Sequence, residues 1–113
     1  MSNDFVDVKI WVDDVRPAPE GYIWCKSVNE TIDTIEIVNT CSDSFDSPIS
    51  LIDLDHDAGD FYQDGGDYIR LLDYFEEAYG RGLPYAIRIH SMNPVGVQNM
   101  KRIIEKNNWR LVL

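Results

Sequence analysis

Positive charge is what this 113-residue sequence has least of: ten Lys and Arg stand against twenty Asp and Glu, a formal net charge of −10. That balance excludes a broad electrostatic grip on duplex DNA, because neutralising a run of phosphates takes a basic face. Cysteine is scarce too. Cys25 and Cys41 form no CxxC and no metal-ligand spacing, so free thiols are expected. No apolar run approaches the length of a membrane span, and Met1 to Asp7 is acidic rather than a basic leader. The expected address is the cytoplasm, with no membrane partner. There is no Walker loop, no GxGxxG after the first strand, no GxSxG elbow and no HExxH, which removes most common enzyme assignments. What is present is a hydrophobic content of 44%, ample for one folded domain over residues 1–113 despite the charge.

Val8 to Asp13 is a β-branched and aromatic run that breaks into a loop where Pro17 and Pro19 forbid a regular helix. Tyr22 to Lys26 reads as a second strand. Ser27 with Glu30 forms a capping box, and Val28, Ile32, Ile35 and Val38 recur at helical spacing, predicting a helix from Val28 to Val38. Asn39 to Pro48 is a polar connection. Ile49 to Asp55 is apolar until it turns acidic, as a buried parallel strand does when its carboxyl end reaches solvent. His56 to Gly66 holds three glycines and is long enough to act as a lid. A helix follows from Asp67 to Gly80, then a strand from Tyr85 to His90. Asn93 as cap with Pro94 at the first position opens the next helix, and Trp109 to Leu113 reads as a final strand. This alternation predicts an α/β domain of flavodoxin-like architecture: a five-stranded parallel sheet of order 2-1-3-4-5, with about three helices on its two faces.

Ligands of such sheets sit beyond the carboxyl ends of the strands. Those ends carry Asp13, Asp14 and Arg16, then Asp55, His56 and Asp57, then His90, Ser91 and Asn93. Both histidines of the chain are in this set, and imidazole exchanges protons near neutral pH. The helix opened by Asn93 directs its first amides, those of Val95 and Gly96 among them, toward the same rim, where an anion would be stabilised. Gly96 would let a phosphate approach the backbone. Arg16 either clamps an anion or pairs with Asp13 or Asp14. Arg88, on the same strand face as His90, needs a carboxylate partner in a central strand.

Three stretches together resemble the cyclic-phosphate processing receiver-like family. They are Val12-Asp13-Asp14-Val15-Arg16-Pro17-Ala18-Pro19-Glu20-Gly21, Asp55-His56-Asp57-Ala58-Gly59, and His90-Ser91-Met92-Asn93-Pro94-Val95-Gly96 continuing to Asn99-Met100. Ala58 stands where the family usually has leucine, Met92 where it has alanine, and the Asn39 to Pro48 connection is longer. The resemblance implies a receiver-like fold turned to cyclic phosphates. Phosphorelay receivers share the acids after the first and third strands, but two histidines, and no lysine after the last strand, argue against that role.

The resulting expectation is a phosphoesterase that opens or hydrolyses a cyclic phosphate on a nucleotide or RNA end. His56, His90 and Asp57 form the catalytic set, with the two histidines as acid and base in either order. Arg16, Ser91, Asn93, Val95 and Gly96 hold the phosphate. One version of this scheme needs no cofactor, and the other places Mg or Mn among Asp13, Asp14, Asp55 and Asp57, since carboxylates suit hard cations. The alternative from another class is a non-catalytic module that binds a nucleotide or a partner protein through the same rim.

Overall fold

The computed structural model describes residues 7–41 and 47–113. Four parallel strands, β1 (Val8–Val12), β2 (Tyr22–Cys25), β3 (Ile49–Leu54) and β4 (Ala86–Ile89), form one sheet in the order β2-β1-β3-β4. The helices are α1 (Val28–Thr40), α2 (Ile69–Tyr79) and α3 (Pro94–Lys106), and a short 3₁₀ turn spans Gly59–Phe61. No helix among the described residues is long and apolar enough to cross a membrane. Cys25 is buried, Cys41 is exposed, and both are free thiols.

The register aligns Ile23, Ile10, Ile52 and Ile87 in one row and Cys25, Val12, Leu54 and Ile89 in another on the same face. Against that face pack Val28 and Ile35 of α1, Leu71, Leu72 and Phe75 of α2, and Met100 and Ile104 of α3. Helix α2 touches both α1 and α3. The helices therefore form a single layer, and the expected winding on both faces is corrected. The reason is topological. Each helix lies on a crossover that advances from β2 toward β4 and beyond, and crossovers of one hand moving in one direction land on one face. The only connection running the other way, β1 to β2, is the proline-bearing loop, which holds no helix. The opposite face, with Lys9, Trp11, Tyr22, Trp24, Leu51, Asp53, Ala86 and Arg88, carries no helix among the described residues.

The expected fifth strand is also corrected. Trp109 to Leu113 contributes a single bridge, Leu111 beside Ile87, with Ile87 N donating to Arg110 O at 2.9 Å and Val112 N to Ile87 O at 2.8 Å. Trp109 is held on the helical side instead: its amide donates to Ile104 O and its indole Nε1 to Gly80 O at 2.7 Å. With Trp109 turned to the helical side, the run meets β4 only at that bridge. Helix α1 runs two residues past the expected Val38, through Thr40, so the polar connection begins at Cys41, and its residues 42–46 lie outside the described set. Helix α2 starts at Ile69, two residues after the expected Asp67.

Both helix caps read from the sequence are present. Ser27 Oγ accepts the Glu30 amide at 3.0 Å, and Asn93 Oδ1 accepts the Gly96 amide at 3.0 Å. Glu30 reaches back to the Lys26 amide at 2.7 Å rather than to that of Ser27. The Ser27 hydroxyl also donates to Asp64 Oδ2 at 2.6 Å. Ser27→Ala removes both bonds, so denaturant unfolding should show a loss of about 1–2 kcal/mol with an unchanged m-value. A midpoint equal to wild type would show that the cap contributes nothing.

Candidate functional site

At the carboxyl end of the sheet, His90 lies between two buried carboxylates. Its Nδ1 is 2.7 Å from Asp53 Oδ1 and its Nε2 is 2.8 Å from Asp13 Oδ2, while Asp13 and Asp53 are almost fully excluded from solvent. The Trp11 indole stacks on the imidazole, with centroids 3.8 Å apart and planes 5° from parallel. Burial works against the charged ring, but hydrogen bonds to Asp53 and Asp13 and their charges outweigh it, holding the His90 pKa above its ordinary value. For Asp13, burial is outweighed by the amides of Arg16 and Val15, at 2.9 and 3.0 Å from Oδ1, and by His90; its pKa lies below the usual range. Each ring nitrogen thus faces an aspartate oxygen, an arrangement that favours the protonated ring.

Asp53 was not singled out from the sequence. It sits inside an apolar strand, in register with Trp11 on one side and Arg88 on the other. That interior carboxylate, read across strands, was the available signal. It also supplies the partner Arg88 needs, with Arg88 Nε 4.0 Å from Asp53 Oδ2.

His56 occupies the loop after β3 at the same rim, in a different setting. Its Nδ1 is 2.9 Å from Asp57 Oδ1, and the Asn93 amide group lies 3.5 Å from that nitrogen and 3.3 Å from Asp57 Oδ2. The ring packs against the start of α3, where a Cβ at position 96 would collide with Cγ, Cδ2 and Nδ1. Gly96 therefore makes room for an imidazole, and its amide is taken by the Asn93 cap. Val95, 71% exposed in the first turn of α3, stays at the rim. Ser91 Oγ accepts the Asn93 amide at 3.0 Å and so shapes the turn into α3. Arg16 pairs with neither Asp13 nor Asp14; its Nη1 donates to His90 O at 3.1 Å, which fixes the guanidinium over the strand end.

Asp13, Asp14 and Asp55 each offer an oxygen within 4.8 Å of the others. Burial first, and then the charges of Asp13 and Asp55, raise the Asp14 pKa despite its own backbone amide. Three hard oxygen donors under mutual repulsion fit magnesium or manganese. Asp13 is the most committed of them, since both its oxygens already accept hydrogen bonds, and Asp55 Oδ1 accepts the His56 amide at 2.7 Å. Gly59, with φ +56, admits the Asp14 carboxylate where a Cβ would clash. Asp57 stands with His56 and Asp67 rather than with this cluster.

The loop from His56 to Gly66 is not the free lid the sequence suggested. Asp67 Oδ1 accepts the Ala58 amide at 3.0 Å, and Asp64 is tied to Ser27 and Asn29 of the α1 cap.

A parallel sheet with acids after its first and third strands and helices on the crossovers defines a receiver-like α/β domain, here with a histidine after each of its third and fourth strands. The family model for the Cyclic-phosphate processing Receiver domain matches residues 8–106, and the chain belongs to that family. No curated protein and no solved structure matches it.

The His90 unit generates a pH prediction. Its folded pKa is raised, so its contribution to stability is complete below the unfolded value of about 6.5 and is lost as pH rises through the higher folded value. Wild-type Tm should therefore fall from neutral into alkaline pH, and His90→Gln should flatten that profile. His90→Ala strands two buried carboxylates and should cost about 3–5 kcal/mol in urea unfolding. A wild-type Tm independent of pH over that window would mean the ring is neutral.

Proposed function

We propose that this domain opens or hydrolyses cyclic phosphates carried on nucleotides or RNA ends, with His56 as the proton-transfer group. The observation that carries this reading is the His56–Asp57 pair, 2.9 Å apart, set beside the carboxylate cluster and the start of α3. Opening a cyclic phosphodiester needs a base for the attacking water and an acid for the departing ring oxygen. Asp57 on Nδ1 orients the ring and leaves Nε2 for the substrate. Nε2 takes a proton from water as its oxygen bonds to phosphorus, then returns it to the ring oxygen as the P–O bond breaks. Atoms and charge balance with one histidine.

His90 has both nitrogens engaged and Trp11 over its ring, so we assign it to positioning. Its charge keeps Asp13 ionised, and Asp13 in turn fixes the Val15 and Arg16 amides. Arg16 and the Val95 amide would face the phosphoryl oxygens, with Ser91 and Asn93 shaping their loop. Asp14 and Asp55, with Asp13, would hold magnesium or manganese, which when bound offsets phosphoryl charge.

His56→Ala should lower turnover of 2′,3′-cyclic nucleotides by about a hundredfold or more, with a Tm close to wild type. Full turnover in the folded variant would remove this mechanism, and saturable binding without turnover in wild type would leave the non-catalytic module in its place. Magnesium or manganese should raise the wild-type Tm in a concentration-dependent way, and Asp14→Asn should abolish the shift. No shift at millimolar ion would favour chemistry by the side chains alone.

A further inference from the structure

The sheet face without a helix differs in character from the rest of this acidic molecule. Trp11, Tyr22 and Trp24 lie on its two neighbouring strands β1 and β2, all half-buried. Lys9 Nζ lies 5.7 Å from the Tyr22 ring centre and Lys26 Nζ 4.5 Å from that of Trp24, and Arg88, with about half its side chain exposed, lies farther along the same face. The only acid among the strand residues of this face is Asp53, which is buried and engaged by His90. Three aromatics and three cations thus occupy one face of a chain whose net charge is −10.

That face runs directly into the site. Trp11 stacks on His90, its Nε1 donates to Arg16 O at 2.9 Å, and Trp24 Nε1 donates to Asp13 O at 2.7 Å. A second copy of the chain would set these cations against their own kind, so self-pairing is disfavoured electrostatically. A flexible polyanion carrying flat rings meets both features: its bases stack on the aromatics and its phosphates meet the lysines. We infer that this face is a platform for single-stranded RNA, which lays the nucleotides preceding a cyclic-phosphate end along β1 and β2 and delivers that end to His56. The inference rests on the cyclic-phosphate reading above for its choice of polyanion. It narrows the substrate from any cyclic nucleotide to an RNA terminus.

The test separates binding from chemistry by using a fluorescently labelled single-stranded RNA of about ten nucleotides that ends in a 3′-hydroxyl and so cannot be turned over. Wild type should bind it with an affinity that falls as salt rises. Trp24→Ala should weaken binding roughly five- to a hundredfold, as loss of one stacked base does. Lys9→Ala and Lys26→Ala together should flatten the log–log salt dependence by about 1.4, at about 0.7 per phosphate contact on a single strand. The lysine pair, only partly buried and in no ion pair among the described residues, keeps the test valid if Trp24→Ala fails to fold. No RNA binding by wild type, binding indifferent to the lysine pair, or concentration-dependent dimerisation that these substitutions abolish would each overturn the inference. Turnover of a cyclic mononucleotide is measured separately. Turnover without RNA binding discards the platform and keeps the proposed chemistry, whereas RNA binding without turnover of any cyclic phosphate does the reverse.

Discussion

Two carboxylates buried side by side on neighbouring strands oppose each other, and His90, set between them with one ring nitrogen toward each, is what makes the arrangement tolerable. Asp13 and Asp53 each spend one oxygen on that ring. Isolated carboxylates so buried would take up protons instead. Much of the rim hangs on this one arrangement. The other Asp13 oxygen organises the turn after β1, the Asp13 carbonyl receives the Trp24 indole, and the His90 carbonyl receives Arg16. The charge that holds the turn is thus the same charge that stations the arginine.

The single helical layer divides the molecule's tasks between two sheet faces. One face is filled by isoleucine, leucine and aromatic side chains from three helices and carries the hydrophobic stability. The strand residues of the other face lie outside that hydrophobic cluster. Alternation along each strand lets neighbouring residues such as Ile10 and Trp11 serve the two tasks independently.

Strands, helices and caps were legible because each has a local signal: β-branched runs, helical spacing, Ser27 and Asn93 before their helices. The convergence of Asp13, Asp55, His56 and His90 on one rim followed from strand order alone. What was not legible depends on relations across the sheet. Asp53 gains meaning only opposite Trp11 and Arg88, a register no single strand reveals. Gly96 leaves room for His56, forty residues earlier, a contact that no local signal reveals. The terminal WRLVL run has the composition of a strand, but Trp109 is claimed by Ile104 and Gly80 on the helical side.

The Asp64 tether has a consequence for how the site opens. Its carboxylate holds Ser27 and Asn29, and its carbonyl takes the Asn29 amide at 3.2 Å, so the chain after His56 is laced to the first turn of α1. Lifting that loop means fraying a helix end at the same time. Segments tied in this way should open as one cooperative unit, with amides that share a common protection against hydrogen exchange. The floor beneath His56 is therefore no softer than the helix it is tied to.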